Sequence, residues 1–326
     1  MIAASNHTKV SLVIPGRNSA EFVDQCLMAA VARLGLDGLN EIIFVDDGST
    51  DNTAEIVRKY PVTCIRAEGR GPGAAWNTGW RAAKMPLVWF IDSDCVIESG
   101  ALSGLLSHLA DSAVAGVGGS YSNMRPDSSI ATLIHEEIVE RHRLMSTEVN
   151  RLATFNVVYR RRVLEEVGGF DESLKTAEDA DLAFRLRKSN YRLQFEFSSK
   201  VKHFHASRLG SYLRAQARRG FYRMRLYYKH PSRMTGDSYS RLSDHIQPPI
   251  AILALLSAPL AAWPRLAWIP AVFVGVLAVA QAPFTMRLIR RTRSMRMLLF
   301  APLSFVRAFW RGAGMVAGLL SLCLIR

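Results

Sequence analysis

The sequence predicts an α/β fold, a mostly parallel sheet with helices on both faces, followed by C-terminal membrane helices. Short β-branched runs alternate with helical patterns through residues 9–119, polar and acidic residues gather where those runs end, and no Asp or Glu occurs after Asp244, where long apolar runs begin. The expected strands are Val10–Ile14, Glu41–Val45, Val62–Ile65, Leu87–Ile91 and Val114–Val117, with helices near 20–33, 52–59, 73–84 and 99–109. Such alternation implies right-handed crossovers and parallel neighbours, with ligands bound beyond the carboxyl ends of the strands. Residues 120–200 are mixed: a strand near 153–160, a turn at Gly168-Gly169, a helix over about 178–188 and a strand near 191–197.

With 49% hydrophobic and 21% charged residues among 326, the chain is too apolar to be disordered. Its net charge of +13 is uneven: residues 1–199 hold 21 basic and 26 acidic side chains, whereas 200–326 hold 20 basic ones against Asp237 and Asp244 alone. That asymmetry excludes a uniformly basic nucleic-acid binder, so no nucleic-acid partner is expected. Cys26, Cys64, Cys95 and Cys323 form no CxxC pair, which argues against a zinc ribbon or a disulfide framework and for a reducing compartment.

The N-terminus, Met1 to Lys9, is polar and lacks the apolar stretch of a secretory signal. His245–Pro264 and Leu266–Met286 carry no Asp, Glu, Lys or Arg, and each approaches the roughly 20 residues that cross a hydrocarbon core. A helical hairpin over about 249–286 follows, with Trp263, Pro264, Arg265 and Trp268 at its far turn. Arg287, Arg290, Arg291, Arg293 and Arg296 form an acid-free loop, 287–296, that the positive-inside rule places on the cytoplasmic side. The expectation is a multi-pass protein of the inner membrane with its soluble domain in the cytosol. Residues 297–325, interrupted by Arg307 and Arg311, read as an interfacial or membrane helix, so the span count is two or three. The domains expected are 1–220 (catalytic), 221–248 (a basic amphipathic neck) and 249–326 (membrane region). The alternative, buried helices of a soluble protein, fits one apolar run but not the set with its arginine loop.

Asp92 and Asp94 stand two apart at a strand end, so their carboxylates project to one side and can share a hard cation, leaving positions for a nucleotide diphosphate. An isolated DxD is equally a turn or helix cap. Asp47, after the second strand, can accept a base or ribose hydrogen bond, while Ser49, Thr50 and Asp51 start the next helix. Pro15 and Arg17 end the first strand, and the flat guanidinium suits stacking on a base. Gly71-Pro72-Gly73 reads as a helix start packed beside a diphosphate, although the full dinucleotide fingerprint is absent. Asp179, in Thr176-Ala177-Glu178-Asp179, is either the acid of a capping box or a base with reach to an acceptor hydroxyl. His203 and His205 alternate on a strand-like KVKHFH; either completes a metal site, contacts phosphate or simply packs.

Taken in order, VIPGRN, EIIFVDDGSTDNT, GPGAAWNTG, WFIDSDC, FNVVYRRRVLEEVGGFDE, AEDADLAFRLRKSNYRL and VKHFH resemble the family 2 glycosyltransferases of GT-A fold, over about residues 9–220. The resemblance implies a Rossmann-like GT-A sheet, a nucleotide-sugar donor with UDP-sugars favoured, Mg²⁺ or Mn²⁺ on the DxD, and inversion in one displacement. It implies nucleoside contacts from Pro15, Arg17 and Asp47, sugar-diphosphate and metal contacts from Asp92 and Asp94, catalysis by Asp179 supported by Glu178, and an acceptor-side role for Asn156. Arg17 stands where Tyr is common and Trp76 where Arg is common. Gln216, Arg218 and Arg219 resemble the QxxRW element of processive synthases, with Gly220 in place of its Trp, which points to single-sugar transfer.

Eleven Lys and Arg between Lys200 and Arg241 suit anionic headgroups and a lipid-linked or membrane-proximal acceptor. The rival readings are a processive polysaccharide synthase and a membrane-anchored sugar-nucleotide-binding protein without turnover. Oligomeric state has no signal in the sequence.

Overall fold

The computed structural model describes residues 9–234 and 236–324; the polar stretch before Lys9, and Ile325 of the last expected helix, lie outside the described residues. Chain order begins β1 (Val10–Gly16), α1 (Val23–Val31), β2 (Leu39–Asp46), α2 (Thr53–Val57), β3 (Thr63–Arg66), α3 (Pro72–Ala82), β4 (Leu87–Ile91), β5 (Cys95–Ile97), α4 (Ala101–Leu106) and β6 (Val114–Asn123). It continues with α5 (Ser129–Arg143), β7 (Glu148–Val149), β8 (Asn156–Arg160), α6 (Arg161–Val167), α7 (Glu178–Lys188) and β9 (Arg192–His203). α5 and α6 have no counterpart among the expected elements, and β9 runs further than expected.

The strands form one sheet in the order β3-β2-β1-β4-β8-β6-β9-β5, with β7 beside β9. β1 pairs in parallel with β2 and β4, and β2 with β3, while β8 enters antiparallel between β4 and β6. Alternate residues of a strand face opposite sides, so the apolar set divides in two. Leu12, Ile14, Phe44, Trp89 and Ile91 pack one face with α1 and α4; Val13, Ile43, Val45, Val88 and Phe90 pack the other with α3 and α7. Each large side chain buried this way contributes about 1.5–3 kcal/mol. α3 rides close on β1 because Gly79 has no side chain: a Cβ there would lie 2.2 Å from Val13 Cγ1. Trp76 points inward from α3 and packs edge-on to Phe90, ring centroids 5.2 Å apart, so its indole belongs to the core.

The residues separate into two compact units: up to Met124 with His142–Phe204, and Arg125–Arg141 with His205 onward. The boundary expected at 220 falls inside one continuous helix, α8 (Leu209–Lys229). It is followed by α9 (Leu242–Ser257), α10 (Trp268–Val279), α11 (Ala282–Thr292) and α12 (Phe300–Cys323). Arg287, Arg290 and Arg291, expected in a loop, therefore ride on α11.

Two stretches, Leu242–Ala262 and Trp268–Thr292, are long and apolar enough to cross a membrane; only 17% and 22% of their most apolar windows are buried. Trp263, between them, and Trp268, which opens the second, are 58% and 62% exposed.

The second unit holds an ionic core. Arg141 on α5 bonds Asp244 through both terminal nitrogens, at 2.6 and 2.8 Å, and Glu137 at 2.8 Å. Arg307 on α12 donates to the other Glu137 oxygen and to Tyr212. Burial would push the Glu137 carboxyl up, but Arg307 and Arg141 hold it down at about 2. The arginines that interrupt the last apolar run thus face inward, toward partners from distant parts of the chain, while Trp310, Val316, Leu319 and Leu320 are exposed.

Candidate active site

β1, β2 and β4 are parallel, so Arg17, Asp47 and Asp92, each just past a strand end, emerge at one edge of the sheet. The strand order reverses between β1 and β4, which opens the crevice where such sheets bind ligands. Ser19 and Ser93 hydroxyls meet at 2.8 Å and tie the two loops flanking it. Asn18 N–H donates to Ser49 Oγ at 2.9 Å, Ser19 N–H to Thr53 Oγ1 at 2.8 Å and Thr50 N–H to Asn18 Oδ1 at 2.8 Å. The DGSTD segment thereby braces the β1 loop.

On the β1–β2 side, β1 runs through Pro15 to Gly16 while its pairing with β4 ends at Val13. Arg17 Nη1 donates to Gly69 O at 3.2 Å. Asp47 is buried; its Oδ2 accepts the Gly71 N–H at 3.0 Å. Burial raises the Asp47 pKa, opposed by the Gly71 amide, Arg17 and Lys175.

On the β4 side, Asp94 Oδ2 lies 3.3 Å from His203 Nε2. Strand pairing sets this, because Cys95 sits opposite His203 across β5 and β9. β9 ends at His203, so His205 does not continue the strand alternation expected of KVKHFH. His205 belongs to the second unit, 1% exposed, with Nε2 3.3 Å from His135 Nδ1. Of the two histidines, His203 joins Asp94.

Asp92 is pushed upward in pKa by burial and by Asp94, and further by Asp179, against His203. Four side chains from three separate segments thus share one electrostatic neighbourhood. Asp179 is the second residue of α7, and its Oδ2 stands 3.6 Å from Arg151 Nη2. No capping box forms: the residue before the helix is Ala177 at φ 75°, in the left-handed region costly for a β-carbon, and the Thr176 hydroxyl donates to Lys175 O. Glu178, half-buried, is the first residue of the helix.

Ligand donors within reach of one cation are Asp94, Cys95 and His203, their atoms within 4.8 Å of one another. Burial, Asp94 and Asp92 push the Cys95 thiol well above its usual range, and a soft sulfur donor suits a hard cation poorly. The remaining carboxylate and imidazole donors fit a divalent cation of the Mg²⁺ or Mn²⁺ kind.

The residues expected on the acceptor side fall in different surroundings. Asn156 is 0% exposed: its Oδ1 accepts from Trp89 Nε1 at 2.9 Å and its amide donates to Ser199 at 3.3 Å, so it braces the sheet from within. Gln216, 1% exposed, accepts from Arg311 Nε at 2.7 Å. Arg218 and Arg219 are exposed on α8. All three belong to the second unit. Arg151 and Lys175 escaped sequence reading, since neither stands in a motif; nearness to Asp179 in the chain was the one available signal for Lys175.

A mixed sheet of this strand order with an acidic pair at its switch point is an α/β fold of GT-A type. Residues 11–168 match the family described as Glycosyl transferase family 2, and the chain carries a domain of that family. Similar proteins include the pre-mycofactocin glycosyltransferase of Mycobacterium tuberculosis, 31% identical over 228 residues, covering 67% of this chain and 46% of that protein. Glycosyltransferase AglE of Haloferax volcanii is 29% identical over 193 residues, covering 57% of this chain and 64% of its own. The chain thus spans about half the length of the curated relatives it matches. The mannosyltransferase PcManGT of Pyrobaculum calidifontis, solved with GDP-Man and Mn²⁺, shares the fold with a TM-score of 0.60 at 20% identity, covering 96% of this chain and 87% of that one.

Proposed function

We propose that this protein is an inverting glycosyltransferase that moves one sugar from a nucleoside-diphosphate sugar, with UDP-sugars favoured, to a lipid-linked or membrane-proximal acceptor. The observation that carries this is the convergence of Asp92, Asp94, His203 and Asp179 at the carboxyl end of β4. Asp94 and His203, with Asp92, would hold Mg²⁺ or Mn²⁺, which supplies charge stabilisation for the departing diphosphate. Asp179, steadied by Arg151, accepts the proton of the acceptor hydroxyl as its oxygen bonds the anomeric carbon from the face opposite the diphosphate. Pro15, Arg17 and Asp47 bind the nucleoside at the neighbouring strand ends. The named donor of PcManGT, GDP-Man, makes GDP-sugars the second group to test.

The two apolar stretches, largely uncovered by protein, support a multi-pass inner-membrane protein with the catalytic domain in the cytosol. Single transfer is favoured over a processive synthase because Gln216 and Gly220 are engaged in packing between α8 and α12. Retention of Asp92, Asp94 and Asp179 together weighs against a binding protein without turnover.

The test is nucleotide release by the full chain in detergent with Mn²⁺ or Mg²⁺ across UDP-, GDP- and dTDP-sugars, with lipid extract as acceptor. Product mass separates single transfer from polymer. No release from any donor would refute the reading.

A further inference from the structure

His203 is the last residue of β9, so the strand fixes its backbone and leaves its ring to be oriented by neighbouring side chains. Its Nε2 faces Asp94 Oδ2, and 18% of the side chain is exposed. A covering neighbour comes from β6. Tyr121 pairs with Val201 and Asn123 with His203, so Tyr121 lies on the same face of the sheet as His203, two residues back. Its ring centroid stands 4.8 Å from that of the imidazole, with the planes 47° apart. Tyr121 is itself held: its ring stacks on Phe155, centroids 3.5 Å apart and planes 19° apart, and Phe155 is 5% exposed. Phe155 belongs to the core face of Leu12, Ile14 and Trp89. The packing of the sheet thus runs through two aromatic rings to the imidazole.

We propose that Tyr121 is a positioning residue for the metal centre: stacked on Phe155, it holds the His203 imidazole with Nε2 turned toward Asp94, as a ligand of the divalent cation. This rests on the metal reading above. An imidazole binds an ion through one nitrogen lone pair in the ring plane, so a ring free to turn about its side-chain bonds loses affinity to the orientations that miss the ion. The contact is made by the aromatic ring, so phenylalanine should serve in its place. A tyrosine that merely filled the core would affect stability and leave the ion's ligands as they are.

The experiment is Mn²⁺ titration of the full chain in detergent followed by electron paramagnetic resonance, with the coupling of bound Mn²⁺ to imidazole nitrogen read by spin-echo modulation. The unaltered protein and Tyr121→Phe should both show that coupling and agree in affinity within about twofold. Tyr121→Leu should bind Mn²⁺ about 3- to 10-fold more weakly, no more than His203→Ala itself, with the nitrogen coupling lost or much reduced. In a His203→Ala background Tyr121→Leu should cost less than about twofold, because the residue acts through the histidine. Should Tyr121→Leu not fold, Tyr121→Met carries the same comparison. Full nitrogen coupling with unchanged affinity in Tyr121→Leu, or an equal loss with and without His203, overturns the proposal. An unaltered protein that binds Mn²⁺ without nitrogen coupling overturns His203 as a ligand and this proposal with it; one that binds no Mn²⁺ overturns the metal reading as well.

Discussion

Gly220 on α8 lies against the backbone of Arg311 on α12: a Cβ at Gly220 would stand 2.2 Å from the Arg311 carbonyl oxygen. The crossing continues along both helices, with Gly314 over the Ala217 carbonyl and Gly318 over that of Phe221. Small residues let two helices approach at backbone distance, the device common among helices in lipid. The absent Trp of the QxxRW-like element therefore has a packing cause.

Gly220→Ala should destabilise the helical unit by about 1–3 kcal/mol, since neither backbone can yield. Gly220→Trp should prevent the crossing altogether. Thermal unfolding in detergent reads both; an unchanged midpoint for Gly220→Ala would mean that the helices part readily.

Asp179→Asn should lower turnover about 10²- to 10⁴-fold while nucleotide affinity stays nearly constant. Arg151→Met, which removes the cation 3.6 Å from Asp179, should lower kcat without raising the donor KM. Single-turnover kinetics with saturating donor distinguishes these from a binding defect.

Divalent-cation affinity should rise with pH through neutrality. Burial, Asp94 and Asp179 push Asp92 up, so at lower pH it holds a proton that the cation must displace. Apparent Mn²⁺ affinity measured from pH 6 to 8 should climb toward about one log unit per pH unit below that pKa, and Asp92→Asn should flatten the slope. His203→Ala should weaken Mn²⁺ binding about tenfold, whereas His205→Ala should not alter it; the reverse result would place the second ligand at His205.

Glu137→Gln should cost about 3–5 kcal/mol, because Arg141 and Arg307 would then lose a buried counter-charge. The Glu137 pKa is depressed to about 2 from 4.5, so its stabilisation is complete above pH 4.5 and is lost as pH falls toward 2. Urea unfolding of both proteins between pH 6 and 3 should show their stabilities converging at the acid end.

The sequence alone determined the alternating fold, the strand ends that carry Arg17, Asp47 and Asp92, and the two apolar stretches. Those features are local: periodicity, β-branching and charge-free length are written in consecutive residues. It left α5 unseen, because that helix holds Glu136, Glu137, Glu140 and Arg141 where a surface pattern would be read, and, apart from the Glu137–Arg141 pair within the helix, their charged partners lie more than a hundred residues away. Tertiary structure decided that His203 and not His205 joins Asp94, and that Asn156 and Gln216 are hydrogen-bonded in the interior. Each depends on where strand β9 stops, which backbone approaches which, and what charge stands opposite, and such contacts leave no period in the chain.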